Sequence, residues 1–221
     1  MIAPKLRRTL RRLRCDERGV ALIEFAYMLP IVTALATTGA ELANYIVVRM
    51  RVSQLALHIA DNASRVGAGS VLVARRLTET DINDVLTGAG MQAGSLDLYN
   101  RGRVIISDLE PMPAPNNPRR YRIGWQRCRG LKNHASSYGT QGQTGLNGIG
   151  PAGRQVEALD NNATMFVEVS YDYKPIVAGR FAPSTTITEI ASMAVRERRD
   201  LSRVWNTDGA TMSACNRFTA T

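Results

Sequence analysis

The chain has 221 residues, 44% hydrophobic and 21% charged, with 28 Lys and Arg against 19 Asp and Glu for a net charge of +9. That length holds one ordinary domain or a modest domain with an appendage, and the composition excludes both a disordered polymer and a multispanning membrane protein. Three dispersed cysteines, Cys15, Cys128 and Cys215, exclude a disulfide-dense miniprotein and a CxxC metal pair, and two histidines argue against a multi-histidine centre.

The first element is a basic leader. Residues 1–19 carry Lys5, Arg7, Arg8, Arg11, Arg12, Arg14 and Arg18 against Asp16 and Glu17. A basic balance invites a nucleic-acid reading, because Lys and Arg neutralise phosphates. Here the excess adjoins an apolar run, which argues for a membrane and against nucleic acid. Val20 to Val48 spans 29 residues whose only charged side chains are Glu24 and Glu41. As a helix it would measure roughly 43 Å against about 30 Å of hydrocarbon, so a single membrane span over about residues 22–46 is expected. Positive charge resists translocation, which keeps the Arg-rich end in the cytoplasm and exports the rest. In a bacterium this means the inner membrane, with the C-terminal domain in the periplasm. There thiols oxidise, and two readings stand for Cys128 and Cys215: a disulfide, or two buried free thiols.

The helix is expected to continue to about Val66. Val48, Val52, Leu55, Ile59, Ala63 and Val66 recur at steps of three and four, with Arg49, Gln54, His58, Asp61 and Arg65 on other faces. This continuation argues against a cleaved signal peptide, although Ala34-Leu35-Ala36 supplies a small-x-small site. A plain uncleaved anchor explains length and topology but not Glu24, since a carboxylate near the membrane is costly and usually has a purpose. Glu41 lies 17 residues later, roughly 25 Å along a helix, and is expected to be solvated at the outer edge.

In Arg18-Gly19-Val20-Ala21-Leu22-Ile23-Glu24-Phe25 a glycine follows a basic stretch, and a Glu-Phe pair stands five and six residues beyond it. This resembles the type IV prepilin processing motif, cut after the glycine by a membrane aspartyl peptidase. The segment that follows, with Pro30 and a later Glu41, resembles the amino terminus of the TadE-like family of tight-adherence (Flp, type IVb) pilus proteins. The resemblance implies a minor pilin or pseudopilin needed for pilus assembly and surface adhesion. Its implied partners are the prepilin peptidase, the major pilin with sister minor pilins, and the inner-membrane assembly platform. Gly19 would let an extended backbone enter a narrow peptidase cleft. Cutting there would make the Val20 ammonium a partner for Glu24 of a neighbouring subunit, setting axial register with Phe25 and Pro30. Pro30 removes the hydrogen bond to the Ala26 carbonyl, and two readings stand: a kink or softened segment, as the resemblance implies, or a proline simply tolerated in a membrane helix. Around Gly39 and Glu41, Thr33, Ala34, Ala36, Thr37, Thr38 and Ala40 form a small-residue band suited to helix–helix packing.

Three regions are therefore expected: a cytoplasmic leader over 1–19, the helix over 20–66, and a periplasmic α+β domain over 67–221. In that domain a small antiparallel sheet would pack on the helix, with a flexible Pro/Gly-rich insertion over 90–160. Thr78 to Met91 reads as a capped helix. Strands are expected over Arg103–Leu109, around Tyr121–Trp125, over Thr164–Tyr173 and over Thr185–Arg196. Residues 111–118 hold four of the nine prolines and read as a linker, and Gly139 to Gly153 as a mobile surface loop. The Val167–Pro175 stretch with ITEIASMAVRER after it also resembles the carboxy-terminal part of TadE-like proteins.

No cofactor or metal is expected, and no catalytic set. Gly148 to Gly153 matches GxGxxG, but no strand precedes it and Pro151 interrupts it; GxxxxGK[ST], HExxH and GxSxG do not occur. His58 and His134 read as surface histidines. Asp160-Asn161-Asn162 reads as a turn. Arg119, Arg120 and Arg122 head the one basic cluster outside the leader, a candidate patch for an anionic partner, with a solvated polar face as the plainer reading. An uncleaved anchor with a periplasmic binding or secretion-scaffold domain is the main alternative function, and a signal-anchored periplasmic enzyme a weaker one.

Overall fold

The computed structural model describes residues 18–70, 73–177 and 186–220. They form an α+β chain with one long helix and a small antiparallel four-stranded sheet, and they divide into two compact units. The first holds residues 18–44 with 176–177, the second 45–175 with 186–220. Most of the leader, with Cys15, lies outside the described residues.

Helix α1, Arg18–Arg65, is 48 residues long and continues through Pro30 without a break. Every position from 19 to 40 is exposed, so in the first unit the helix presents apolar side chains on all sides. In the second unit α1 is amphipathic. Val52, Leu55, Ile59 and Ala63 are buried, with Val48 and Val66 packed at the margin. Burying each of the larger side chains stabilises by about 1.5–3 kcal/mol.

After α1 come a short ribbon, β1 (Ala68–Ser70) and β2 (Val73–Arg76), and helix α2 (Glu79–Ala93). Thr78 caps α2 reciprocally with Asp81: its hydroxyl accepts from the Asp81 N–H while the Asp81 carboxylate accepts from the Thr78 N–H. That arrangement aims Ile82, Val85, Leu86 and Ala89 into the same core as the α1 stripe. The one-turn helix α3 (Leu98–Arg101) leads into β3 (Gly102–Pro111), β4 (Tyr121–Arg129), β5 (Thr164–Asp172) and β6 (Thr186–Ala194). Their order is β4-β3-β5-β6, all neighbours antiparallel. The proline-rich residues 112–120 connect β3 to β4 directly.

The region expected as a flexible insertion over 90–160 thus contains two of the four strands, including central β3. The glycine-rich segment does not stand off the domain. Leu146 exchanges backbone hydrogen bonds with Tyr121 at 2.8 and 3.0 Å, and Gly142 and Gln143 do the same with Ile123 at 2.8 and 2.9 Å. Farther along β4, Cys128 and Gly130 donate to the carbonyls of Ser213 and Thr219 in the C-terminal tail. Loop and tail together cover the outer edge of β4, which would otherwise invite strand addition.

Both sheet faces are buried. Val104, Ile106, Met165, Val167, Val169 and Tyr171 face the helices. On the opposite face Leu109, Tyr121, Ile123 and Phe166 pack with Ile149 and Ala158, and with Tyr138, Leu146 and Val156 at the margin. Strand β4 changes face part-way. Its register with β3 shifts between Ser107 and Leu109, where Ser107 opposes Gln126 and Leu109 opposes Ile123, leaving an extra residue on β4. Trp125 consequently joins the helix-side core while Tyr121 and Ile123 stay on the other face. Simple alternation from Tyr121 to Trp125 would put all three on one face.

Candidate functional site

In the first unit, Val20, Ile23, Phe25, Met28, Ile31, Val32 and Leu35 are each about half exposed or more, and Glu24 is exposed beside them. Gly19 lies in the first helical turn, where backbone groups are only partly satisfied and fray readily. A Cβ at Gly19 or Gly39 would meet open space, so among the described residues neither glycine is needed for close packing. Thr37 returns its hydroxyl to the carbonyls of Thr33 and Ala34, leaving the small-residue band without a free polar donor at that position. Twenty-two consecutive exposed positions extend roughly 33 Å, which matches the hydrocarbon thickness of a bilayer. The helix is long and apolar enough to cross a membrane.

Glu41 departs from the sequence expectation. Its side chain is not solvated but buried, 2% exposed, because the chain returns to it: the N–H groups of Ile176 and Val177 donate to Glu41 Oε2 at 2.9 and 2.8 Å. Two backbone donors converging on one carboxylate oxygen offset much of the cost of burying it. Spacing along the helix carries no trace of this contact, which closes over 135 residues.

In the second unit a polar cleft of about 280 Å³ opens on the helix side of the sheet, lined among others by Leu77, Asp108, Glu110, Arg122, Trp125 and Arg199. Asp108 and Glu110 continue the Val104–Ile106 face at period two, and that in-phase spacing was the signal in the sequence for inward carboxylates. Glu110 accepts from Arg122 Nε at 2.8 Å. Arg199 donates to the carbonyls of Ala63, Ser64 and Val66, capping the exposed dipole end of α1. Burial lowers the Arg199 pKa, with Asp108 pulling the other way. For Asp108, burial first and the Glu110 carboxylate second push the pKa well above the usual range.

A raised carboxyl pKa means the folded chain keeps a proton that the unfolded chain releases. The stability from that proton is full below about pH 4 and is lost as pH rises through the folded pKa. Asp108→Asn keeps a donor for Glu110 and has no proton to lose. In urea titrations of the detergent-solubilised chain, the stability difference is expected to grow in the variant's favour from about pH 4 upward. A difference independent of pH would contradict this.

The Arg119–Arg122 cluster is divided among separate partners. Arg119 pairs with Asp160 at 2.8 Å, Arg120 donates to the Arg119 carbonyl, and Arg122 is held by Glu110. Cys128 and Cys215 are joined by a disulfide. His134 meets the buried Glu168 carboxylate at 2.8 Å, a contact that its loop position did not suggest. Among the described residues, no group of three or more His, Cys, Asp or Glu side chains is placed to hold a metal ion.

No family model matches the chain, and no curated protein or solved structure is detectably similar to it. The functional reading therefore rests on the residues themselves, above all on the apolar helix with its single exposed carboxylate near the start.

Proposed function

We propose that this protein is a minor pilin or pseudopilin of the TadE-like, tight-adherence (type IVb, Flp) class, made as a single-pass inner-membrane precursor and trimmed after Gly19. It is read as a structural subunit rather than an enzyme. The observation that carries the reading is the all-round exposure of α1 from residue 19 to 40 with Glu24 inside it. Such a surface needs lipid first and partner helices later, and a carboxylate there needs a cation. Cleavage would supply that cation, because the new Val20 ammonium of one subunit can neutralise Glu24 of its neighbour and fix the register. The small-residue band around Gly39, exposed in the structure, suits close approach of neighbouring helices.

The Cys128–Cys215 disulfide supports placing the second unit in an oxidising compartment, consistent with export. An uncleaved anchor would use the same disulfide-linked domain, and processing separates the two. The amino-terminal residue of protein extracted from the membrane is expected to be Val20; an intact arginine-rich leader would favour the anchor.

A further inference from the structure

In the first unit the chain returns to α1 at Glu41. Ile176 and Val177 follow β5 in the chain and are 67% and 38% exposed, yet their backbone N–H groups are fixed on the buried Glu41. Glu41 immediately follows the 22 exposed positions of α1, so this pair sits at the end of the apolar stretch, beside exposed Leu42. A span that follows the exposed positions, 19–40 rather than the 22–46 expected from hydropathy, covers roughly 33 Å and brings Glu41 to the outer boundary of the hydrocarbon.

Irregular backbone is costly at that depth because its N–H groups lose water. Here that cost is largely offset. Glu41 takes both donors, Pro175 has no N–H to satisfy, and the side chains turned outward are apolar. We propose that Ile176 and Val177 form a second membrane contact, seated at the outer lipid interface and anchored by Glu41. The partner is the bilayer surface, and the inference rests on the membrane-spanning reading of α1.

The test uses the full chain in phosphatidylcholine–phosphatidylglycerol vesicles with brominated acyl chains, against the background of native Trp125 and Trp205. Phe25→Trp reports the span and Ile176→Trp the proposed contact, with Leu159→Trp as an exposed reference. Ile176→Trp is expected to be quenched by lipids brominated near the headgroup and to be severalfold less accessible to aqueous acrylamide than Leu159→Trp. Adding Glu41→Ala is expected to restore its accessibility. Ile176→Trp as accessible as Leu159→Trp, with Phe25→Trp quenched by lipid, would overturn the inference and leave the span standing. Ile176→Trp shielded from acrylamide but untouched by brominated lipid would assign a protein neighbour and overturn the lipid assignment. Failure of lipid to quench Phe25→Trp would remove the span and the inference together.

Discussion

Arg127→Met is expected to lower the unfolding free energy by about 3–5 kcal/mol, because it strands a buried carboxylate. Arg127 reaches from β4 to Glu79 at the start of α2. Its Nε donates to Oε2 at 2.9 Å, and Nη2 makes a second, shorter bond to Oε1. The two side chains are only 6% and 5% exposed, so water cannot replace the lost partner. Removing both charges should behave differently. The double variant Arg127→Met with Glu79→Met is expected to recover most of the loss, short of the few tenths to about 1 kcal/mol that an acidic residue contributes in the first turn of a helix. Urea unfolding followed by tryptophan fluorescence measures both, since Trp125 lies two residues away in the core. A single variant within about 1 kcal/mol of the parent would show that the pair is solvated and its burial misjudged.

Reduction of the Cys128–Cys215 bond, or Cys215→Ser, is expected to cost about 4–5 kcal/mol by the chain-entropy estimate for so long a loop. The bridge closes 87 residues and ties the C-terminal tail to β4. Next to it, Arg103 donates to the carbonyls of Gly130, Cys215 and Arg217, and its guanidinium lies 4.2 Å from the Phe218 ring centroid. The tail is therefore expected to detach before the sheet melts, uncovering the β4 edge. Limited proteolysis should cut within residues 206–220 under reducing conditions while β3 and β5 stay protected. Equal protection of the tail with and without reductant would mean that its hydrogen bonds to Arg103, Asn83 and the β4 edge hold it without the bridge.

Much of the scaffold was legible because its signals are local. The stripe from Val48 to Val66 marked the buried side of α1, the choice of Thr78, Thr80 or Asp81 as cap marked the start of α2, and the alternation from Met165 to Tyr173 marked β5. What escaped was non-local. The extra residue in β4 turns Trp125 to the other face from Ile123, and nothing in the alternation announces it. Residues 138–158 carry too many glycines for a periodic signal, yet Tyr138, Leu146, Ile149, Val156 and Ala158 cover the second face of the sheet. The Arg199 cap on α1 and the Ile176–Val177 contact on Glu41 join positions more than 130 residues apart. For the candidate site, the identity and spacing of Gly19, Glu24 and Pro30 were readable directly, whereas the burial of Glu41 depended on a return of the chain.

Filament assembly, as proposed, requires that the exposed Glu24 carboxylate acquire its cation by proteolysis. The decisive measurement is the amino-terminal residue of the protein extracted from pilus-producing cells, for the parent and for Glu24→Ala, together with a count of surface pili. Both proteins are expected to begin at Val20, and the variant to lack pili. A parent that retains its leader while pili are made, or normal pili in the Glu24→Ala cells, would contradict that requirement.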